Sequence, residues 1–180
     1  GKCIRFAESD VRPMGRDTMG VKSISISGDD KVVDMAIIRE NVEQEVFTIS
    51  ENGYGKRSDT DDYRLQTRAG KGVKAGNFNE QTGNLVNLKL ISPDNDIMLI
   101  ADNGIIMRVR ASEISKIGRD TKGVRIMTLK NEGKIVCAAV TEHEEQVENE
   151  ETENTEVVET AENAEVVENV EVQATESSEE

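Results

Sequence analysis

Gly118–Val124 reads GRDTKGV, and Gly15–Val21 reads GRDTMGV, with only the fifth residue changed. An altered copy of this heptapeptide, TRAGKGV, lies between them at Thr67–Val73. Gly1–Ile26 aligns with Gly104–Leu129 without a gap, and nine of the 26 positions are identical. The chain therefore contains three related repeats. Repeats 1, 2 and 3 are placed near residues 1–45, 46–96 and 97–140.

Each repeat has the residue pattern of β-structure. In repeat 2, the β-branched and aromatic run Val46–Ile49 precedes Asn52-Gly53, a pair that favours a type I′ hairpin turn. Repeat 3 has the same arrangement, with Ile97–Ile100 followed by Asn103-Gly104. We predict two further strands in each repeat, one directly after the heptapeptide and one at the end. These are Val21–Ile26, Val73–Phe78 and Val124–Leu129, and then Val32–Ile38, Leu85–Ile91 and Ile135–Val140.

About four strands in a repeat of this length are typical of a propeller-like blade. No stretch within residues 1–140 has a convincing helical period of apolar residues. We therefore predict an all-β fold with about three blades. Closed propellers have four to eight blades. Gly1 occupies the position of the hairpin glycine and repeat 1 lacks an opening strand, so we expect the chain to be the C-terminal fragment of a longer protein.

Charge is unevenly distributed along the 180 residues, which carry a net charge of −14. All 22 Lys and Arg residues lie between Lys2 and Lys134, and together with 20 acidic residues they leave residues 1–140 close to neutral. Residues 141–180 carry the other 16 acidic residues and no Lys or Arg. Such a block predicts a disordered acidic tail after a structured body. No apolar run reaches the length of about 18 residues that a membrane span requires.

Basic residues recur at equivalent positions in the three repeats. We name them the hairpin arginines, the loop arginines within the heptapeptides, and the strand cations that follow. A regular series of cations with few aromatic residues is typical of contact with the phosphates of DNA rather than with base edges. Glycines in the loops would also let backbone N–H groups approach phosphates closely. The predicted DNA-binding residues are Arg5, Arg57 and Arg108 (hairpin arginines), Arg16, Arg68 and Arg119 (loop arginines), Lys22, Lys74 and Arg125 (strand cations), and Lys56, Lys71 and Lys122.

A structural interpretation of the heptapeptide stands beside this one. Its Asp or Thr side chain could bond the local backbone, and its arginine could pair with Asp17 or Asp120. A tight turn would account for the glycines. It would not account for the strand cations, because a turn does not require a cation on the strand that follows it.

Several motifs in order carry a family resemblance. They are the heptapeptide, the ENGYGKR hairpin at Glu51–Arg57, the EIS-x-x-GR run from Glu113 to Arg119, and the acidic tail. Together they resemble the C-terminal region of the A subunit of bacterial DNA gyrase over residues 1–140. The resemblance implies a β-pinwheel, a propeller variant whose six blades exchange strands, of which this chain would hold the last three. It also implies that a bent DNA duplex wraps around a basic rim, so that ATP-driven strand passage introduces negative supercoils.

The same resemblance implies the wider setting of the chain. The partners would be duplex DNA and the B subunit of gyrase, in a heterotetramer of two A and two B subunits in the cytoplasm, associated with the nucleoid and not with a membrane. ATP and magnesium would act through other domains, with no cofactor or metal in this chain. The family's nucleophile is a tyrosine directly preceded by arginine, whereas Tyr54 follows Gly53 and Tyr63 follows Asp62. We therefore expect this chain not to be catalytic alone.

Two alternatives to this function remain open. The first is the C-terminal domain of the A subunit of topoisomerase IV, whose blades are fewer and more degenerate in that family. The regular heptapeptides and the acidic tail favour gyrase. The second is a propeller scaffold that binds proteins, in which the cations only maintain solubility.

Overall fold

The computed structural model describes residues 1–130 and 133–143, so the predicted acidic tail lies outside the described residues from residue 144 onward. Nine strands and one short 3₁₀ turn per repeat form its regular structure. The strands are β1 Lys2–Cys3, β2 Glu45–Ser50, β3 Tyr54–Asp59, β4 Val73–Lys74, β5 Leu85–Ile91, β6 Asn95–Ala101, β7 Ile106–Arg110, β8 Val124–Arg125 and β9 Ile135–Glu142. The 3₁₀ turns are Glu8–Asp10, Thr60–Asp62 and Ala111–Glu113. Among the described residues, no helix has the length and apolar character needed to cross a bilayer.

The strands form three antiparallel sheets, ordered β1-β4, β5-β2-β3-β8 and β7-β6-β9. Two of these sheets combine strands from different repeats. Strand β4 of repeat 2 pairs with β1 of repeat 1, and β8 of repeat 3 pairs with β3 of repeat 2. Heptapeptides 2 and 3 therefore each deliver a short strand to the sheet of the preceding repeat. This exchange confirms the prediction of an all-β pinwheel.

Both predicted hairpins are present, but their turn type differs from the prediction. The amides of Gly53 and Gly104 each donate to the carbonyl three residues earlier at 3.1 Å. Each glycine has a φ of +81°, whereas Asn52 and Asn103 do not take a positive φ. A type I′ turn needs a positive φ at both central residues, so this geometry instead fits a type I turn followed by a left-handed glycine.

The strands after the heptapeptides are shorter than predicted, and two predicted strands of repeat 1 are absent. Val73–Phe78 and Val124–Leu129 contribute only β4 and β8, and Val21–Ile26 contributes none. Such a strand pairs with the hairpin of the preceding repeat, and this sequence holds no hairpin before repeat 1. Val32–Ile38 is also not a strand, because repeat 1 holds no counterpart of β2 or β6 for it to pair with. At the other end, β9 extends two residues past the predicted end of the body at residue 140.

The apolar core lies between neighbouring sheets. Every residue of β2 is buried, because the strand is covered on both faces. Phe47 and Ile49 belong to the cluster shared with repeat 3, whereas Val46 packs with Tyr63 and Ala75 on the side towards repeat 1. This division follows the two-residue alternation of side chains along a strand. Packing between sheets therefore fixes where each heptapeptide lies relative to its neighbours.

Candidate nucleic-acid interface

Heptapeptides 1 and 3 form the same local turn. The Thr18 hydroxyl donates to the Gly15 carbonyl at 2.8 Å, and the Thr121 hydroxyl donates to the Gly118 carbonyl at 2.9 Å. The local threonine bond expected from the structural interpretation is therefore confirmed. Ala69 in heptapeptide 2 instead takes a left-handed φ of +66°, so the middle loop follows a different path.

The loop arginine of repeat 3 reaches back to the preceding repeat. Arg119 Nε donates to the Asp62 carbonyl at 2.9 Å, and its Nη1 donates to the Lys74 carbonyl at 2.7 Å. The pairing with Asp120 expected from the structural interpretation is not formed. The Asp120 carboxylate lies 3.8 Å from Lys74 Nζ instead.

The loop arginine of repeat 2 repeats this contact at the first junction. Arg68 Nε donates to the Asp10 carbonyl at 3.3 Å, and its Nη1 donates to the Lys22 carbonyl. These two acceptors hold the same positions in repeat 1 as Asp62 and Lys74 hold in repeat 2. The guanidinium groups thus bind the 3₁₀ turn of the preceding repeat and the residue that directly follows its heptapeptide. This role alone accounts for an arginine in the heptapeptide, and its contact with phosphate stays a prediction.

The hairpin arginines point the opposite way, into the following repeat. Arg57 Nε donates to the Ile114 carbonyl at 2.7 Å, and its Nη1 lies 2.6 Å from Glu45 Oε2. Arg5 Nη1 donates to the Thr60 carbonyl at 2.9 Å, which is the same kind of contact one junction earlier. Each junction between repeats is therefore held by two arginines, one reaching in each direction.

Arg108 has an acidic partner at the position equivalent to that of Arg57's partner, but no repeat follows it in the described residues. Its Nε donates to Asp96 Oδ2 at 2.7 Å, and Asp96 holds the position of Glu45 in repeat 2. His143 Nδ1 lies 3.0 Å from the same carboxylate oxygen. Hydrogen bonds from His143 and Arg108 lower the pKa of Asp96. The Arg108 side chain remains 41% exposed and is accessible to a ligand.

Two of the predicted DNA-binding residues are buried and cannot contact phosphate in this structure. Lys56 is 1% exposed and Arg57 is 8% exposed. Lys56 Nζ donates to the carbonyls of Gly118 at 3.1 Å and Thr121 at 2.9 Å, and also to that of Arg119. Burial lowers the pKa of Lys56 to about 8. The basic run Gly55–Arg57 therefore joins two repeats rather than forming part of the surface.

The backbone conformation requires a glycine at the last position of the heptapeptide but not at the first. Gly72 and Gly123 take left-handed φ values of +70° and +83°. A Cβ on Gly72 would lie 2.5 Å from the Cys3 carbonyl oxygen, and one on Gly123 would lie 2.7 Å from that of Gly55. At Gly118 the φ is not left-handed, and a Cβ would meet no atom within 4 Å. The fold therefore accounts for the last glycine, and the interpretation that a loop glycine admits a phosphate stays a prediction.

The remaining predicted cations are exposed and lie in or directly after the heptapeptides. Lys74 is typical, with a side chain that is 63% exposed. The Arg125 guanidinium carbon lies 5.1 Å from the centre of the Tyr54 ring, and its Nη2 donates to the Tyr54 hydroxyl at 2.7 Å. The exposed members of the predicted set in or directly after a heptapeptide are Arg16, Lys22, Lys71, Lys74, Lys122 and Arg125.

Comparison with known proteins identifies this arrangement. A family model described as the DNA gyrase C-terminal domain, beta-propeller, matches residues 1–39, 44–92 and 95–142. The chain belongs to the DNA gyrase C-terminal domain family. The three matched segments correspond to the three repeats, which confirms the resemblance found in the sequence.

Individual gyrase A subunits are also similar to the chain. That of Staphylococcus aureus strain MRSA252 is 38% identical over 146 residues, and that of Staphylococcus epidermidis ATCC 12228 is 40% identical over 142. These alignments cover 81% and 79% of the chain but only 16% of each relative. The chain therefore spans about a sixth of the length of these curated gyrase proteins.

Two solved structures share the fold. A DNA gyrase A C-terminal domain matches with a TM-score of 0.71 and 27% identity, over 78% of this chain and 47% of that one. The C-terminal domain of a DNA topoisomerase IV matches with a TM-score of 0.72 and 19% identity, over 79% and 44%. The second likeness concerns the fold alone. The sequence relatives are A subunits of gyrase, which favours gyrase over topoisomerase IV.

The strand pairing of this fold places two further residues opposite strand cations, and the sequence analysis missed both. Lys2 lies directly opposite Lys74 in the β1–β4 pair, and Tyr54 lies directly opposite Arg125 in the β3–β8 pair. Opposed residues of an antiparallel pair project to the same face of the sheet. Both missed residues follow a hairpin glycine, so aligning the repeats from that glycine would have placed them at one position.

Proposed function

We propose that the chain binds and wraps duplex DNA without sequence preference, as the C-terminal part of the A subunit of DNA gyrase. The observation that carries this proposal is the recurrence of the exposed strand cations, Lys22, Lys74 and Arg125, at one position in each repeat. Lysines of the heptapeptides flank two of these positions. The hairpin and loop arginines at the two junctions, together with Lys56, hold the repeats together and so set the spacing of the exposed cations.

Such spacing suits a stiff polyanion. Bending a short DNA site smoothly costs on the order of 1–6 kcal/mol. Phosphate contacts spread along a repeating surface offset that cost without reading base sequence. The gyrase family supports the further proposal that the wrap sets the direction of strand passage, so that the whole enzyme introduces negative supercoils with ATP.

The chemistry itself is assigned to other parts of the enzyme. Tyr54 and Tyr63 are 7% and 2% exposed, and neither directly follows an arginine. We infer that this chain supplies DNA binding rather than the nucleophile, and that ATP, magnesium and the B subunit of gyrase act through regions outside it. A cytoplasmic, nucleoid-associated location belongs to the same proposal.

DNA binding is expected to weaken steeply with salt. Each phosphate neutralised contributes a slope of about −0.9 in log K against log salt. Changing Lys22, Lys74 and Arg125 together to glutamine should therefore reduce the magnitude of the slope by up to about 2.7. Fluorescence anisotropy of the 180-residue chain with labelled duplexes of unrelated sequence measures this, and ligation of circular DNA on the protein measures trapped writhe.

A triple variant of equal charge change is the matched control. Lys31, Arg39 and Lys130 are exposed and lie away from the heptapeptides in sequence, so their change to glutamine should alter the slope less. Equal salt slopes for the two triple variants would show that the strand cations do not contact DNA phosphates. A wild-type slope near zero, or a tenfold affinity difference between duplexes, would favour the protein-binding scaffold or sequence-specific binding instead.

The acidic tail is expected to compete with DNA for the same cations. It is tethered to the domain, which gives it a high effective concentration. Because β9 runs to Glu142 and His143 bonds Asp96, the deletion that isolates the tail removes residues 144–180 and keeps β9 intact. Competition predicts tighter DNA binding after the deletion, with a gain that shrinks as salt rises. Unchanged affinity at low salt would leave solubility as the role of the tail.

A further inference from the structure

The two junctions between repeats place different residues beneath the docked heptapeptide. Counting three residues on from the hairpin glycine gives Ile4 in repeat 1, Lys56 in repeat 2 and Met107 in repeat 3. Heptapeptide 2 docks against the segment after Gly1, which contains β1 and Ile4. Heptapeptide 3 docks against β3, which contains Lys56. The loops themselves also differ, since Ala69-Gly70 in the first stands where Asp120-Thr121 stands in the second.

At the second junction the loop is a polar receptor for an ammonium group. Besides the three carbonyls already described, Lys56 Nζ lies 3.2 Å from the Thr121 hydroxyl oxygen. The ammonium is shielded from water, so these oxygens replace its hydration. An aliphatic residue at this position would leave inward-facing carbonyls without their donor, which is costly in a buried site.

At the first junction the contact is apolar. The Ile4 Cδ1 atom lies 3.3 Å from where a Cβ on Gly70 would stand, so the isoleucine packs closely beneath the loop backbone. Heptapeptide 2 has no threonine at the position of Thr121, and its left-handed Ala69 alters the loop path. A lysine in place of Ile4 would be desolvated without the hydroxyl and the loop conformation that hold Lys56.

We propose that the third residue after the hairpin glycine selects which heptapeptide docks on that hairpin. Lysine selects the Gly-Arg-Asp-Thr loop, and an aliphatic side chain selects the Thr-Arg-Ala-Gly loop. The rule has a consequence for heptapeptide 1, which has the Asp-Thr sequence and the same internal threonine bond as heptapeptide 3. Its docking partner is a hairpin that bears lysine at this position. The Met107 hairpin of a second copy of this chain does not meet that requirement.

A swap of matched residues tests the rule in the full 180-residue chain. Lys56→Ile alone is expected to lower the melting temperature by at least about 2–4 °C. The loop change Asp120→Ala with Thr121→Gly should also lower it, because it removes the hydroxyl and the loop conformation. The three changes together should recover at least half of the loss caused by Lys56→Ile. Circular dichroism with temperature and urea measures all four proteins.

The reciprocal swap at the first junction is the second arm of the experiment. Ile4→Lys alone should destabilise the protein, and adding Ala69→Asp with Gly70→Thr should restore stability in part. If Lys56→Ile does not fold, recovery of a folded protein in its triple variant supports the rule. Additive losses at both junctions, or a Lys56→Ile variant as stable as the wild type, would overturn it.

Discussion

Replacing Arg57 with methionine is expected to lower the free energy of unfolding by about 3–5 kcal/mol, the usual cost of removing one partner of a buried ion pair. The guanidinium lies 2.6 Å from the Glu45 carboxylate and also binds the Ser112 and Ile114 carbonyls of the next repeat. Without it, a carboxylate that is only 5% exposed loses its closest cation. Urea unfolding followed by circular dichroism measures the loss.

Two further variants separate the ion pair from general effects of the substitution. Arg110→Met changes an exposed arginine and should alter stability by less than about 0.5 kcal/mol. The double variant Glu45→Met with Arg57→Met should be more stable than Arg57→Met alone, because apolar residues can replace a buried pair at little cost. If Arg57→Met stays within about 1 kcal/mol of the wild type, Arg57 does not stabilise the junction.

Gly123→Ala is expected to cost more than about 2 kcal/mol, because it combines a left-handed backbone with a steric overlap. Its new Cβ would lie 2.7 Å from the Gly55 carbonyl oxygen, within the exchanged strand pair. Gly20→Ala isolates the backbone strain, since Gly20 has a φ of +75° but no atom within 4 Å of a Cβ. It should cost about 1–2 kcal/mol.

Gly118→Ala introduces neither a strained left-handed backbone nor a steric overlap, so its stability should match that of the wild type. Thermal unfolding of the three variants gives the order Gly123, Gly20, Gly118 from most to least destabilised. A loss at Gly118 as large as that at Gly123 would mean that the fold requires the first glycine. Weaker DNA binding by a fully stable Gly118→Ala variant would support close approach of a phosphate to this loop.

Local sequence pattern predicted the long strands well. Strands β2, β5, β6 and β9 coincide with β-branched or aliphatic runs, which recur at equivalent positions in repeats 2 and 3. The exchanged strands could not be bounded in this way. Strands β4 and β8 have two residues each, and their extent depends on a partner about seventy residues away in sequence. Val21–Ile26 has a similar local pattern but lacks that partner, which is why its prediction was wrong.

The sequence analysis predicted which basic residues make up the candidate site, but it did not predict which of them are buried. Gly55–Arg57 reads as a basic surface run, and nothing local shows that the next repeat covers it. One signal was present in the sequence. Glu45 precedes Arg57 by twelve residues, and Asp96 precedes Arg108 by the same interval, so an acid recurs with each of these arginines. That recurrence could have indicated ion pairs instead of free cations.

The exchange of strands has a consequence for how such genes change length. Strand β8 is encoded with repeat 3 but completes the sheet of repeat 2. Tandem duplication of one repeat's codons would therefore recreate the same strand pairing at each new seam, wherever within the repeat the recombination breakpoints fell. Loss of one repeat would likewise leave the hairpin of the repeat before it followed by the heptapeptide of the repeat after it. Blade number can thus vary between descendants of one gene while every internal seam keeps its backbone strand pairing.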